Sequence, residues 1–385
     1  MATPFRFRSA LNPDDPNDQR VMVPPDELVK QVVGDIQAFR YPLIQGPRQM
    51  GKSTACLWLV QYVRQQRARD WLARYVDCQA LAGADTGNLV SLLHNRVLEE
   101  ALRYADLGVP QADVVKTRLS NIARPVTLYQ FSLFLEEISR VLPDLTRLVL
   151  VVDEIEGIPQ QTLYDALCAF RALHHKYSTT PGPFACCVVI ACTYNLAALR
   201  LGAGSPYNMA EIHHLEEVTR EQWMSVLSQA GCLQFEQPAL KRLFDEVGGH
   251  PYLLQRVCDR AVINAEEAGA ERVREDHVLD GIFWLFEKGD RNLRIMSQEA
   301  DASPARRAVC DSLLQGRIVA FESTLDPIND LADVGLIVNR DRRATFRNRG
   351  YERVMLNRRY AHLSGPKGDH LRQHGYLLVG CSEIQ

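Results

Sequence analysis

The chain has 385 residues, 46% of them hydrophobic and 24% charged, and a formal net charge of -3. That length exceeds one ordinary core, so two or three domains of a soluble globular protein are expected and large-scale disorder is excluded. The charge excludes a surface coated all over with nucleic acid and leaves room for a local basic patch.

The ten cysteines are scattered, and only Cys186 and Cys187 are adjacent. None forms a C-x-x-C pair, which reads as buried reduced thiols in a cytosolic protein rather than a disulfide framework or zinc site. The opening stretch Met1–Asp18 lacks the apolar core of a signal peptide. The runs 148–153 and 184–194 are far shorter than the roughly 20 residues needed to span a bilayer. A cytoplasmic location with no membrane partner is the expectation.

In chain order, residues 1–25 are rich in Pro and Asp and read as an extended arm with turns. Residues 26–215 alternate helices and strands. Leu28, Val29, Val32, Val33 and Ile36 have helical spacing, and Tyr41–Gln45 is a short apolar strand running into a glycine turn. A helix is expected from Ser53 to about Gln65, a strand at Arg74–Asp77, and helices near 88–104 and 128–141. Leu148–Val152 and Ala185–Cys192 are continuous apolar runs of the kind buried on both faces of a parallel sheet, with a helix at 161–176 between them. Beyond 215 strand signals give way to helices at 219–230, 237–247, 251–268 and 274–288, a helical lid over 216–290. Residues 291–360 contain helices and then two short strands about a charged turn, the pattern of a winged helix. The tail 361–385 shows no core element.

The strongest motif is Gly46-Pro47-Arg48-Gln49-Met50-Gly51-Lys52-Ser53, a G-x-x-x-x-G-K-S between a strand and a helix. Its glycines let successive N–H groups face inward as an anion nest, and the following helix aims its positive end at the same place. Lys52 is expected to neutralise β- and γ-phosphates and the Ser53 hydroxyl to bind Mg²⁺, which makes ATP or ADP the expected ligand. Asp153 closes the run Leu148–Val152. A carboxylate at the end of a buried strand needs a cation, so Asp153 is the expected outer ligand of Mg²⁺ and Glu154 the general base, with Lys52 as its catalytic companion. Glu156 reads as a solvated acid. Thr193 and Asn195 are sensor candidates, with strand-end capping as an equal explanation. Arg200 reads first as a surface arginine and second as a phosphate partner. In Gly248-Gly249-His250-Pro251 the glycines stop one helix and the proline opens the next. The sharper reading puts Pro251 against adenine and lets His250 sense phosphate.

With these residues in place the chain resembles the bacterial AAA-like ATPases of the STAND class, signal-transduction ATPases with numerous domains. The resemblance rests on Arg48-Gln49-Met50-Gly51-Lys52-Ser53-Thr54, on Ser205–Ala210, and on Gly248–Leu254. Gly335–Val338, Phe346–Asn348 with Tyr351, and the arm Leu11–Pro16 add to it, so it covers about residues 5–357. It implies an α/β P-loop NTPase of the AAA-like type, with a parallel sheet, a helical lid and a C-terminal winged helix. It also implies a nucleotide-gated switch, closed with ADP and oligomeric with ATP, with slow hydrolysis and signalling to an attached or separate effector protein. Two departures stand out: Val23 occupies the arginine position of the family's V-x-R-x-x-D run, and the chain stops soon after the winged helix.

The rival reading is a DNA-handling ATPase. It draws on Arg340, Arg342, Arg343, Arg347, Arg349, Arg353, Arg358 and Arg359, which suit phosphate contacts but equally a solvated face or acidic lid helices. A metabolic P-loop kinase would carry its lid inside the α/β domain, which the two helical C-terminal segments oppose.

Overall fold

A computed structural model describes residues 3–7, 9–81, 83–107, 109–179, 182–193, 210–322 and 325–360. Asn195, Arg200, the stretch 205–209 and the tail 361–385 lie outside the described residues.

The arm contains a one-turn helix α1 (Pro16–Gln19) and leads into α2 (Asp26–Gln37), β1 (Tyr41–Gln45), α3 (Lys52–Gln66) and β2 (Trp71–Asp77). Then come α4 (Thr86–Ala105), α5 (Ala112–Ser120), α6 (Leu128–Val141), β3 (Arg147–Asp153), α7 (Gln160–Thr179), β4 (Ala185–Cys192) and β5 (Ala210–His214). The five strands form one parallel sheet in the order β2-β3-β4-β1-β5. The apolar runs of β3 and β4 are explained by their burial on both faces. Alternate residues part to the two sides: Leu148, Leu150 and Val152 face the core of α4, α6 and α7, while Val149 and Val151 face α2 and α3. This layering places the loop after β1 beside the ends of β3 and β4, at the carboxyl edge of the sheet where α/β folds bind ligands. Strand β5 was not foreseen. It carries Glu211, His213 and His214 on the sheet edge, so it lacks the apolar run that marks its neighbours.

The helical half contains α8 (Arg220–Ala230), β6 (Gln234–Phe235), α9 (Gln237–Val247), α10 (Pro251–Glu267), β7 (Arg272–Val273) and α11 (Glu275–Glu287). It continues through α12 (Arg291–Ala300), α13 (Pro304–Leu314), α14 (Asp326–Asp333), the antiparallel pair β8 (Ile337–Arg340) and β9 (Arg343–Phe346), and α15 (Arg349–Tyr360). The hairpin turns through Asp341 and Arg342, both at positive φ, as a two-residue turn between twisted strands requires. The α8 terminus follows from a capping box in which Thr219 and Gln222 bond reciprocally.

The two helical segments on either side of residue 290 share one continuous core, running from Trp223 through Leu254 and Met296 to Met355. The arm belongs to it too. Phe5 stacks on Trp223, Phe7 meets Tyr252 edge-on, and Gln255 bonds to the backbone of both Arg6 and Val21. No disulfide joins the nine described cysteines to one another, and seven of them are buried, as reduced core thiols would be. Among the described residues no helix is long and apolar enough to cross a membrane.

Two buried polar groups of this half, Glu246 and His250, carry testable electrostatics. Glu246, fully buried, pairs with Arg353 at 2.7 Å and with Arg242 at 3.5 Å. His250 is 2% exposed and packs edge-on against Tyr351. Burial, reinforced by the nearby Arg347, drops its pKa to about 3.

Replacing Glu246 with alanine removes the carboxylate that Arg353 meets at 2.7 Å and should lower the unfolding free energy by about 3–5 kcal/mol in urea titrations; a loss under about 1 kcal/mol would show the pair to be dispensable. The His250 ring stays neutral in the folded state while the unfolded ring takes up a proton below its ordinary value of 6.5. Its contribution is therefore complete above that pH and is lost as pH falls toward 3. Between pH 6 and 4 stability should fall with a slope approaching about 1.4 kcal/mol per unit steeper than in His250→Gln; equal slopes would contradict it.

Candidate functional site: the loop after β1

The loop from Gly46 to Gly51 joins β1 to α3 under tight steric limits. A Cβ at Gly46 would lie 2.9 Å from Leu215 Cδ1, so the chain after β5 packs directly on that glycine. Gly51 has φ of 93° and caps α3, a conformation that needs glycine. Gln49 also sits at positive φ, 61°. The Lys52 side chain, 6% exposed, folds back and donates to the carbonyls of Gly46 (2.9 Å) and Pro47 (3.0 Å). Burial pulls its pKa down, against the charges of Glu156, Asp153 and Glu154. The lysine is thus held over its own loop by two backbone carbonyls.

Asp153 ends β3 fully buried and accepts from the Tyr75 hydroxyl (2.9 Å) and the Glu154 N–H (2.9 Å), while the nearby Ser53 hydroxyl also favours its charged form. Burial raises its pKa in spite of these bonds, which marks a carboxylate short of positive charge. Ser53 and Asp153 together present hard oxygen donors, the set that suits Mg²⁺. Among the described residues no cluster of three or more His, Cys, Asp or Glu could hold a metal alone. Mg²⁺ ordinarily draws its remaining ligands from phosphate and water.

Glu154 adopts φ 55°, ψ 33°, an uncommon left-handed conformation for a glutamate. Burial first, then the charges of Glu156 and Asp153, raise its pKa, moving it toward the range of a general base. Glu156 differs from its expected solvated state. Its Oε1 accepts from the Thr193 N–H at 2.7 Å, and its Oε2 is buried with no partner. The turn after Glu154 folds it back under β4, which ties Thr193 into the site through the backbone rather than through its hydroxyl.

A cleft of about 380 Å³ opens over the loop, lined by Arg48, Gln49, Lys52, Ser53 and Glu154. Arg6 from the arm and Arg291 from the start of α12 also face it. A second cleft of about 450 Å³ is lined by the arm from Val21 to Asp26 and by Met50 and Ala55. The two clefts share Leu11, Gly51, Thr54, Pro251 and Gln255, so they form one trough across the start of α3. Thr54 additionally accepts from the Leu11 N–H at 3.1 Å. His250 lines neither part. The loop at Gly249 is pressed against Val218, where a Cβ would come within 2.2 Å of a carbonyl oxygen, and the following imidazole turns to Tyr351 instead.

The helical half also touches the loop directly. Asn292 Nδ2 donates to Gln49 Oε1 at 2.6 Å, and the Tyr351 hydroxyl donates to Asn292 Oδ1 at 2.9 Å. A Cβ at Gly335 would stand 2.5 Å from Pro47 Cβ. Arg6, Arg291 and Asn292 carried no local motif; only the folded chain brings them to residues 46–54.

Most of the expected basic patch is neutralised. Arg347 pairs with Glu217, Arg349 and Arg353 with Glu246, Arg358 with Asp301, and Arg359 with Asp301 and Asp311. Arg340, Arg342 and Arg343 remain exposed on the hairpin.

The family model described as "AAA-like domain" matches residues 42–355. No curated protein matches the chain. Among solved structures, the Walker-type ATPase of Pyrococcus abyssi is 12% identical with a TM-score of 0.59, over 91% of this chain and 99% of that one. The ORC2 protein of Aeropyrum pernix is 13% identical with a TM-score of 0.46, over 91% and 98%. The Holliday junction branch migration motor RuvB of Thermotoga maritima is 15% identical with a TM-score of 0.46, over 93% and 100%. The family match takes in the phosphate loop, all five strands and nearly all of the helical half, and the chain belongs to the AAA-like domain family, with an ATP-binding P-loop.

Proposed function

We propose that the chain is a nucleotide-gated switch of the STAND type, in which the state of the phosphate loop sets the position of the helical half. The contact of Asn292 with Gln49, backed by Tyr351, carries this reading. A metabolic P-loop enzyme needs no bond between its phosphate loop and a C-terminal segment some 240 residues away. Here the loop cannot change shape without breaking or moving that bond.

In this reading residues 26–215 bind the nucleotide, 216–290 form the lid, and 291–360 form a winged-helix-like unit locked on the loop. Phosphate oxygens take the place of the Gly46 and Pro47 carbonyls on Lys52, and the loop N–H groups hold the anion. Ser53 and Asp153 hold Mg²⁺, which when bound offsets the charge of the β- and γ-phosphates. Glu154 orients and deprotonates the attacking water. ATP shifts the switch only if it binds the released state more tightly than the locked one. The γ-phosphate supplies that difference, because it enters the part of the trough between Lys52, Arg48 and Arg291. The released form exposes helical surface for self-association or for a separate effector protein. Duplex DNA handling is the weaker reading, because carboxylates already occupy five of the eight arginines on which it rests.

Lys52→Ala should weaken ATP binding by about 10–100-fold, the worth of one charge-assisted bond to phosphate. Glu154→Gln should keep binding and slow turnover by about 100-fold or more; unchanged turnover in both variants would refute the site. Native mass measurement should find a monomer with ADP and a larger assembly with a slowly hydrolysed ATP analogue. The same mass with both nucleotides would count against the switch.

A further inference from the structure

A separate cleft of about 550 Å³ lies between the end of α9, the turn after α13 and the β8–β9 hairpin. Its volume is in the range of small-molecule sites. Five arginines line it (Arg317, Arg340, Arg343, Arg347 and Arg349) against two carboxylates, Asp245 and Glu352. Arg347 is engaged with Gly335 O at 2.8 Å and Glu217 at 3.0 Å, and Arg340 donates to the Arg347 carbonyl at 3.0 Å. Arg349 approaches Glu246 only to 3.9 Å. Arg317 and Arg343 are exposed and have no ion-pair partner among the described residues.

A second observation concerns neutral donors in the same wall. Asn348 is 7% exposed and caps α15, its Oδ1 accepting from the Tyr351 N–H at 2.9 Å. That bond leaves its Nδ2 buried without a partner, and the Thr345 hydroxyl oxygen is buried unpartnered as well. Buried donors without acceptors are rare in folded proteins. The first turn of α15 adds its positive end to the same place. Phe244, Val319 and Phe346 add apolar surface to the same lining. A surface of this kind matches a ligand with an anionic end and a carbon or ring portion.

We propose that this cleft is a binding site for a phosphorylated small molecule, distinct from the phosphate loop. Arg317 and Arg343 hold the phosphate as bidentate donors, Asn348 supplies a neutral one, and Phe244 with Phe346 receives the rest of the ligand. The site shares Arg347 and Gly248 with the joint between lid and hairpin. It stands on the cleft's own residues and does not depend on what the P-loop does.

The test is calorimetric titration of full-length Lys52→Ala with inorganic pyrophosphate; if that variant does not fold, the natural protein saturated with ADP takes its place. We expect saturable binding of one pyrophosphate per chain. Affinity should fall at least about tenfold in Arg317→Ala/Arg343→Ala and stay unchanged in Arg342→Ala, which alters an exposed arginine outside the cleft. Absent binding, binding insensitive to the double substitution, or an equal loss in Arg342→Ala would overturn the proposal. So would displacement of pyrophosphate by a duplex of about 20 base pairs at lower concentration and with a steep salt dependence, which would assign the phosphate to nucleic acid.

Discussion

The site turns on a local imbalance of charge. One buried lysine, Lys52, lies in the field of three carboxylates, Glu156, Asp153 and Glu154, and Asp153 is removed from water altogether. Hydrogen bonds from Tyr75 and the backbone, with Ser53 nearby, do not bring the Asp153 carboxyl back to its ordinary range. A floor short of positive charge, at the amino end of α3, suits a ligand carrying both a divalent cation and an anion. A magnesium nucleotide is such a ligand. The parallel sheet makes this arrangement possible because it sets the ends of β1, β3 and β4 side by side.

The helical half gives the site a second property. Its segments before and after residue 290 share one core with Phe5 and Val21 of the arm. The contacts that reach back to the loop are few and short: Asn292 on Gln49, Gly335 against Pro47, and the arm backbone on Thr54. On the proposed reading, a few hydrogen bonds at the loop govern a body of about 140 residues. The burial of His250 fits this picture better than phosphate sensing does, since a neutral ring packed on Tyr351 joins the start of α10 to α15.

Much of this was legible in the sequence. The runs Leu148–Val152 and Ala185–Cys192 announce central strands because both faces are buried. The spacing around Lys52 announces its chemistry because a phosphate cradle needs those residues at those positions. Helices from α8 to α11 fall within a residue or two of their expected bounds, helped by Thr219 and by the prolines at α9 and α10. What was not legible depends on distance along the chain. Strand β5 is polar because it lies at the sheet edge. Glu156 looks like any surface acid until β4 closes over it. Arg6, Arg291 and Asn292 reach the loop only through tertiary packing, and the arginines after residue 340 meet carboxylates that their own sequence neighbourhood does not contain.

The central claim, that the loop and the helical half are mechanically joined at Asn292, is tested most directly by amide hydrogen exchange along α12. With ADP bound, residues 291–300 should exchange as slowly as the neighbouring helices of the shared core. A magnesium-bound, slowly hydrolysed ATP analogue should speed exchange in that helix while slowing it across residues 46–54. Identical protection of α12 in the two nucleotide states would contradict the account.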